Sequence, residues 1–198
     1  MDNIMNEKLN ISQEELLINE LNNENDWDNI SKHYCLSETI IEEFANKVNW
    51  DLISKYQSLS ENFILKHDNL VNWILISQYQ RLSEKFIEDN IDKLSWECIS
   101  TCQSLSEEFM EKYHNKIIWN YICLFQHLSE SFMRKFKDRI IWKIVSRTQK
   151  MSEDFIREFE NEVDWECIFI NQTLSKSFRR EYVNKLGKKY KQYLKINK

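Results

Sequence analysis

Thiols, imidazoles and a recurring Ser-Glu pair are the groups in this chain that could do chemistry. Cys98 and Cys102 stand four residues apart, a spacing that places both on one helix face and could supply half of a metal site. His33, His67, His114 and His127 would be the remaining ligands. Within WDLISKYQSLSENF, Trp50 to Phe63, Gln57, Ser60 and Glu61 together suggest a small polar site. Each suggestion depends on what holds these residues in place, and there the chain is unusually explicit.

All seven tryptophans fall on one register: Trp27, Trp50, Trp73, Trp96, Trp119, Trp142 and Trp165, each 23 residues from the next. A fixed period of this size marks a repeat array. With each Trp as position 1, position 4 is Ile or Val, position 8 is Tyr34 and then six Gln, and position 10 is Leu or Met. Position 11 is always Ser, Glu follows it in six of seven repeats, and position 14 is Ile40 and then six Phe. The composition has no Pro and one Gly, which argues against β-turns and hinges and for an all-α chain.

The columns spell two short helices per repeat. The first begins at Trp, after a capping residue in Asp26, Asn49, Asn72, Ser95 and Asp164. Its apolar residues at positions 1, 3, 4 and 7 predict one wide buried stripe. The second begins at the invariant Ser, whose hydroxyl can cap it, with the next Glu favoured by the helix dipole. Asn or Asp at position 20 predicts a left-handed stop. The polar Gln column predicts a ladder, its amides bonding backbone at the turn between helices, with plain surface exposure as the alternative. Helices this short cannot stand alone, so stacking must bury their stripes in an α-solenoid. The boundaries read as 1–26, capping helices or a half repeat around Ser12; 27–187, seven repeats; and 188–198, a basic amphipathic capping helix.

Set in these columns, the chemical groups lose their force. Cys98 and Cys102 take positions 3 and 7, where other repeats place Leu52, Leu75, Tyr56, Tyr79 or Phe125, and read as small buried thiols. Cys167 repeats position 3. The histidines occupy four different positions and form no cluster, with His67 read as packing. One Gly excludes glycine-rich phosphate loops. No catalytic residue, metal ligand or cofactor is expected, so the chain is read as a non-enzyme.

Charge is polarised from end to end. Residues 1–49 carry 11 acidic and 3 basic side chains, whereas residues 176–198 carry 9 basic and 1 acidic. The net charge of −5 leaves an acidic middle that argues against a solenoid reading nucleic acid along its length. Only the basic end, with Arg179, Arg180, Lys185, Lys188 and Lys189, suits an anionic partner. Attraction between the acidic front of one molecule and the basic rear of another would give weak head-to-tail association, against a monomer otherwise. The first residues carry no signal-like apolar core, and no run approaches a membrane span of roughly 20 apolar residues. Five cysteines without framework spacing then predict a reducing, cytoplasmic setting.

What remains is a protein partner, the usual use of an extended solenoid surface. Positions 2, 6, 9, 13, 16 and 17 vary while the frame holds, so specific function is expected in letters such as Lys55, Ser58, Asn62 and Leu65. Leu65, Ile74, Leu124 and Ile170 are apolar where other repeats accept charge, and His127 stands beside a Gln at a turn. These five are the candidate partner contacts. An anionic-ligand or nucleic-acid binder acting through the basic end, and a self-assembling structural protein, are the alternatives.

The pattern of Trp, Gln-x-Leu-Ser-Glu and Phe over about residues 27–187 resembles short helical repeat proteins of large, AT-rich, mimivirus-like nucleocytoplasmic DNA viruses. The resemblance implies an α-solenoid of interaction function, set in a host cytoplasm, and supplies no catalytic residues. Tyr34 for Gln and Lys176 for Glu depart from the pattern in the first and last repeats, as edge effects.

Overall fold

The computed structural model describes residues 24–195 together with Leu16, Ile18 and Leu21. The half repeat expected around Ser12 lies outside them, as do residues 196–198. The chain is all-α, a solenoid of tandem helix pairs, with no strand among the described residues. Each first helix begins at its Trp: α1 (Trp27–His33), α3 (Trp50–Tyr56), α5 (Trp73–Tyr79), α7 (Trp96–Cys102), α9 (Trp119–Phe125), α11 (Trp142–Thr148) and α13 (Trp165–Asn171). The second helices are α2 (Glu38–Glu43), α4 (Glu61–Lys66), α6 (Glu84–Asp89), α8 (Glu107–Lys112), α10 (Glu130–Lys135), α12 (Glu153–Glu158) and the longer α14 (Lys176–Leu186). Gly187 then adopts a left-handed φ of 97°, and a 3-10 helix, Lys188–Lys195, follows.

The start signals act as their chemistry requires. Every position-11 Ser accepts a hydrogen bond from the amide three residues on, from Ser37 with Ile40 to Ser175 with Phe178. Asp26, Asn49, Asn72, Ser95 and Asp164 cap the first helices in the same way. Ile118 and Ile141 provide no such bond before α9 and α11. The stop differs from expectation. Among the described residues no residue other than glycine has positive φ, so position 20 is not left-handed. The chain instead leaves each second helix through right-handed turns, such as Lys47 N–H to Phe44 C=O at 2.8 Å and Val48 N–H to the same carbonyl at 3.0 Å.

Two compact units divide the chain, residues 1–98 and 99–198, and the same packing builds each. In the first, α1 packs on α3 and α3 on α5, burying Ile30, Ile41, Ile53, Ile64, Ile76 and Phe86. In the second, α9 packs on α11 and α11 on α13, burying Ile122, Met133, Val145, Ile156 and Ile168. Each such side chain removed from water contributes about 1.5–3 kcal/mol, which offsets the cost of ordering helices of six or seven residues. Trp50 stacks on Phe63 at 6.3 Å and reaches back with its indole N–H to Ala45 C=O at 3.0 Å. Trp165 repeats the second contact on Glu160 C=O at 3.0 Å. Trp73, Trp119 and Trp142 make the same bond, tying their helix pairs to the turn before them.

Position 7 corrects the expected stripe. Tyr56, Tyr79, Cys102 and Phe125 lie exposed at the end of the first helix, while positions 4 and 5 are buried and the Trp at position 1 is half-buried or buried. Cys102 is therefore a surface thiol rather than a buried substitute for an apolar residue.

Candidate functional site

The most repeated polar residues are consumed by the fold. Gln57 is 6% exposed. Its carbonyl accepts from Leu36 N–H at 3.0 Å, and its amide donates to Ser31 C=O at 2.9 Å and Tyr34 C=O at 2.8 Å. These backbone groups sit at the helix end and turn of the preceding repeat, where the helix leaves carbonyls unpaired. Gln172 does the same for Met151, Ser146 and Gln149. The ladder is present and buried.

Two further ladders stand beside it. The Glu of one repeat bonds the Ser of the next: Glu38 accepts from Ser60 N–H at 2.6 Å and from its hydroxyl at 3.2 Å, and Glu153 serves Ser175 likewise. The Glu column therefore joins repeats, a role beyond its favourable place at a helix start. The second ladder is at position 5, where buried Ser31, Ser54 and Ser146 accept from Asn49, Asn72 and Asp164 N–H at 2.9–3.0 Å. In the fifth repeat Cys123 holds this place and accepts from Ile141 N–H at 3.4 Å. Burial pushes the Cys123 thiol above its ordinary pKa.

The histidines and cysteines stay apart. His67 packs between Trp50 and Phe63, with ring centroids 5.0 and 4.4 Å away, and approaches Glu42 at 3.4 Å. His33 and His127 are exposed, and His114 is half-buried against Glu111 C=O. Among the described residues no three His, Cys, Asp or Glu side chains gather as metal ligands.

The basic end is partly spent internally. Arg179 is 4% exposed and stands at position 15, where the six other repeats bury Ile or Met. Its guanidinium donates to Phe169 C=O at 3.0 Å and lies over the Phe169 ring. Desolvation lowers its pKa. Lys185 pairs with Glu160 at 2.7 Å, and Lys189 with Glu166 at 2.7 Å. Only Arg180 and Lys188 of the five candidate anion contacts are exposed and lack a carboxylate partner among the described residues.

The second helices carry ion pairs between neighbouring repeats at positions 16 and 17: Lys66 with Glu42, Lys135 with Glu111, Arg134 with Glu158 and Arg157 with Glu181, all at 2.6–2.7 Å. Leu65, at position 16, interrupts them and is exposed. Ile74 at position 2 is 61% exposed, Ile170 is exposed, and Leu124 is half-buried. The end of the first helix, positions 6, 7 and 9, is different in kind. There Phe125 is 58% exposed beside Tyr121, and Tyr56 and Tyr79 flank Lys55. Lys55, Tyr56, Ser58, Tyr79 and Arg81 line an open groove of about 430 Å³ with Gln57, Leu59 and Gln80 at its base. His127, at position 9, belongs to the same column in the second unit. Tyr56 and Tyr79 were hidden from sequence reasoning by their apolar character, which placed them in the core stripe.

Comparisons with protein-family models, with curated proteins and with solved structures find no match. The class is therefore defined by the fold alone, an all-α solenoid of 23-residue repeats, and no helix among the described residues is long and apolar enough to cross a membrane.

Proposed function

We propose that the chain is a non-enzymatic scaffold that binds protein partners along the exposed ends of its first helices. The observation that carries this reading is the division of labour among side chains. Repeated residues are spent on core and ladders, while large apolar residues that the packing does not use, Ile74 and Phe125 above all, face solvent. Exposed apolar side chains of this size, set among polar neighbours, are what a protein interface uses. The resemblance to virus-encoded repeat proteins would make those partners host or viral proteins in a cytoplasm.

Affinity capture with the full chain and with the double variant Ile74→Lys/Phe125→Lys tests the reading. A partner retained by the wild-type chain and lost by the variant, with circular dichroism unchanged, supports it. Equal recovery by both chains, or no partner retained beyond an unrelated α-solenoid, overturns it. An anionic ligand held by the basic end is the second reading. Arg180 and Lys188 are what the fold leaves it.

A further inference from the structure

We infer that the groove between Tyr56 and Tyr79 is a docking site for an acidic, aromatic-containing extended segment of a partner protein. The inference rests on the protein-binding reading above and adds the chemistry of the partner. The groove collects cations that the fold leaves uncommitted. Lys55 Nζ sits 4.9 Å from the Tyr56 ring centroid and 5.2 Å from that of Tyr79, and Lys32 Nζ lies 5.8 Å from the Tyr56 centroid. Neither lysine, nor Arg81 across the groove, pairs with a carboxylate among the described residues. The eight lining residues include no acid, in a chain with 32 acidic and 27 basic side chains.

The contrast with the second-helix surface decides which face is available. There Lys66, Lys135 and Arg157 are matched one to one with carboxylates of the adjacent repeat, and so is Lys93 in the turn after α6. Within the unit that holds the groove, a partner carboxylate meeting Lys66 or Lys93 would have to displace an existing pair. At the groove it would meet a cation already held in place by two rings, so the side-chain entropy that weakens most surface ion pairs has been lost in advance.

Geometry selects an extended peptide. The two tyrosines stand at the same position of adjacent repeats, on first helices that pack together, and packed helices lie roughly 8–10 Å apart. A polyproline II segment rises ~3.1 Å per residue with three residues per turn, so side chains three residues apart lie on one side, roughly 9 Å from each other, and reach successive rings while an acidic side chain between them turns toward Lys55. Aromatic or apolar side chains of the segment stack on the tyrosines, while its carboxylates meet Lys55, Lys32 and Arg81. A single strand of nucleic acid shares the need for rings and cations. It carries a phosphate at every residue, whereas the neighbouring helix starts expose Asp28 and Asp51, which favours the sparser charge of a peptide.

The probe is a fluorescein-labelled peptide of three Tyr-Glu-Glu repeats, titrated with the full chain and followed by anisotropy. A peptide with Lys in place of Glu and a labelled ten-nucleotide oligothymidylate are the comparison arms. The acidic peptide is expected to bind and the basic one not. Lys55→Glu and Tyr79→Ala each weaken binding at least about tenfold, a loss of one rung on the affinity scale. Lys55→Arg retains it. Both side chains reach solvent, and circular dichroism confirms that the variants fold. No binding by wild type, or binding unchanged by Lys55→Glu, overturns the proposal, and oligothymidylate binding lost in Lys55→Glu reassigns the groove to nucleic acid. Peptide binding lost in Arg180→Glu but kept in Lys55→Glu overturns the groove alone. The scaffold reading fails separately, through the capture experiment with the Ile74/Phe125 variant.

Discussion

Replacing Gln57 by Met tests whether the Gln column holds neighbouring repeats together. The substitution keeps an unbranched side chain of similar size and removes the amide. Leu36 N–H, Ser31 C=O and Tyr34 C=O then lose their partner in a site where Gln57 is 6% exposed. A buried polar group left unpaired costs about 1–3 kcal/mol. Three such groups, partly relieved by water entering at the turn, give a loss of about 3 kcal/mol in all, by the same scale. In a repeat array this loss falls on one interface and frays the end beyond it. Hydrogen exchange is therefore the assay. The Ile41 amide, bonded to Ser37 C=O at 3.0 Å inside α2, reports on the first repeat without contacting Gln57. Its exchange is expected to accelerate about 100-fold, the factor that ~3 kcal/mol represents, while the Ile87 amide of α6 changes far less. Tyr34→Ala is the control, because position 8 of the first repeat has no Gln and its side chain is exposed. Exchange at Ile41 accelerated less than fivefold in Gln57→Met, or equally in Tyr34→Ala, would refute the ladder as a source of stability.

Three further outcomes follow from the same geometry. Cys123→Ser restores the column's usual acceptor in place of a thiol contact at 3.4 Å and is expected to raise the urea midpoint, by roughly 0.5–1 kcal/mol of added stability. Arg179→Glu places an unpaired carboxylate in a buried site and destabilises the last repeat by about 3 kcal/mol or more, whereas exposed Arg180→Glu leaves the melting curve within experimental error. Glu160 is held below its ordinary value of 4.5 by hydrogen bonds from Lys185 first and Tyr182 second. A carboxylate with a depressed folded-state pKa stabilises the fold above the unfolded value, and that stabilisation is lost as pH falls through the folded value. An NMR titration should place the Glu160 midpoint below 4.5, rising toward it in Lys185→Gln.

The architecture was legible because each repeat restates its own rules. Seven Trp, seven Ser and six Gln in fixed columns define helix starts, periodicity and one buried polar column without a second sequence. What stayed hidden was direction. The apolar character of Tyr56, Tyr79 and Phe125 said core, but the buried side of the first helix runs through positions 4 and 5 to the Gln at 8, and position 7 emerges beside it at the helix end. Asn and Asp at position 20 tolerate left-handed backbone, yet the turn closes with right-handed residues through paired bonds to a single carbonyl, and no positive φ is needed. The position-5 Ser column was visible in five repeats. Its role depends on a contact 18 residues along the chain that only the fold creates. Arg179 illustrates the reverse error: its type said surface, while its column, filled elsewhere by Ile41, Ile64, Ile87, Met110, Met133 and Ile156, said core.

The ends of the array show that the ladders run in opposite senses. Gln reaches back to the repeat before it, so the first repeat has no use for one, and Tyr34 stands in its place. Glu reaches forward to the Ser of the repeat after it, so Glu38 is kept in the first repeat and the last can replace it with Lys176. The last repeat keeps Gln172, which still has a repeat behind it. It must also satisfy the position-5 carbonyl that a following Gln would have bonded. Arg179 does this, donating to Phe169 C=O at 3.0 Å. Phe169 itself replaces the position-5 Ser and carries Tyr193 at 5.3 Å and Tyr190 at 5.8 Å, so that the 3-10 helix covers the surface another repeat would have buried. Each of these departures at the ends is thus the residue demanded where one ladder loses its neighbour. The same logic predicts that Phe169→Ser, Lys176→Glu and Arg179→Ile together would recreate an interior repeat at the terminus and expose a face competent to receive a further repeat. Inserting a copy of residues 165–187 directly after Gly187 of that triple variant should then raise the urea midpoint, and the same insertion in the wild-type chain should not.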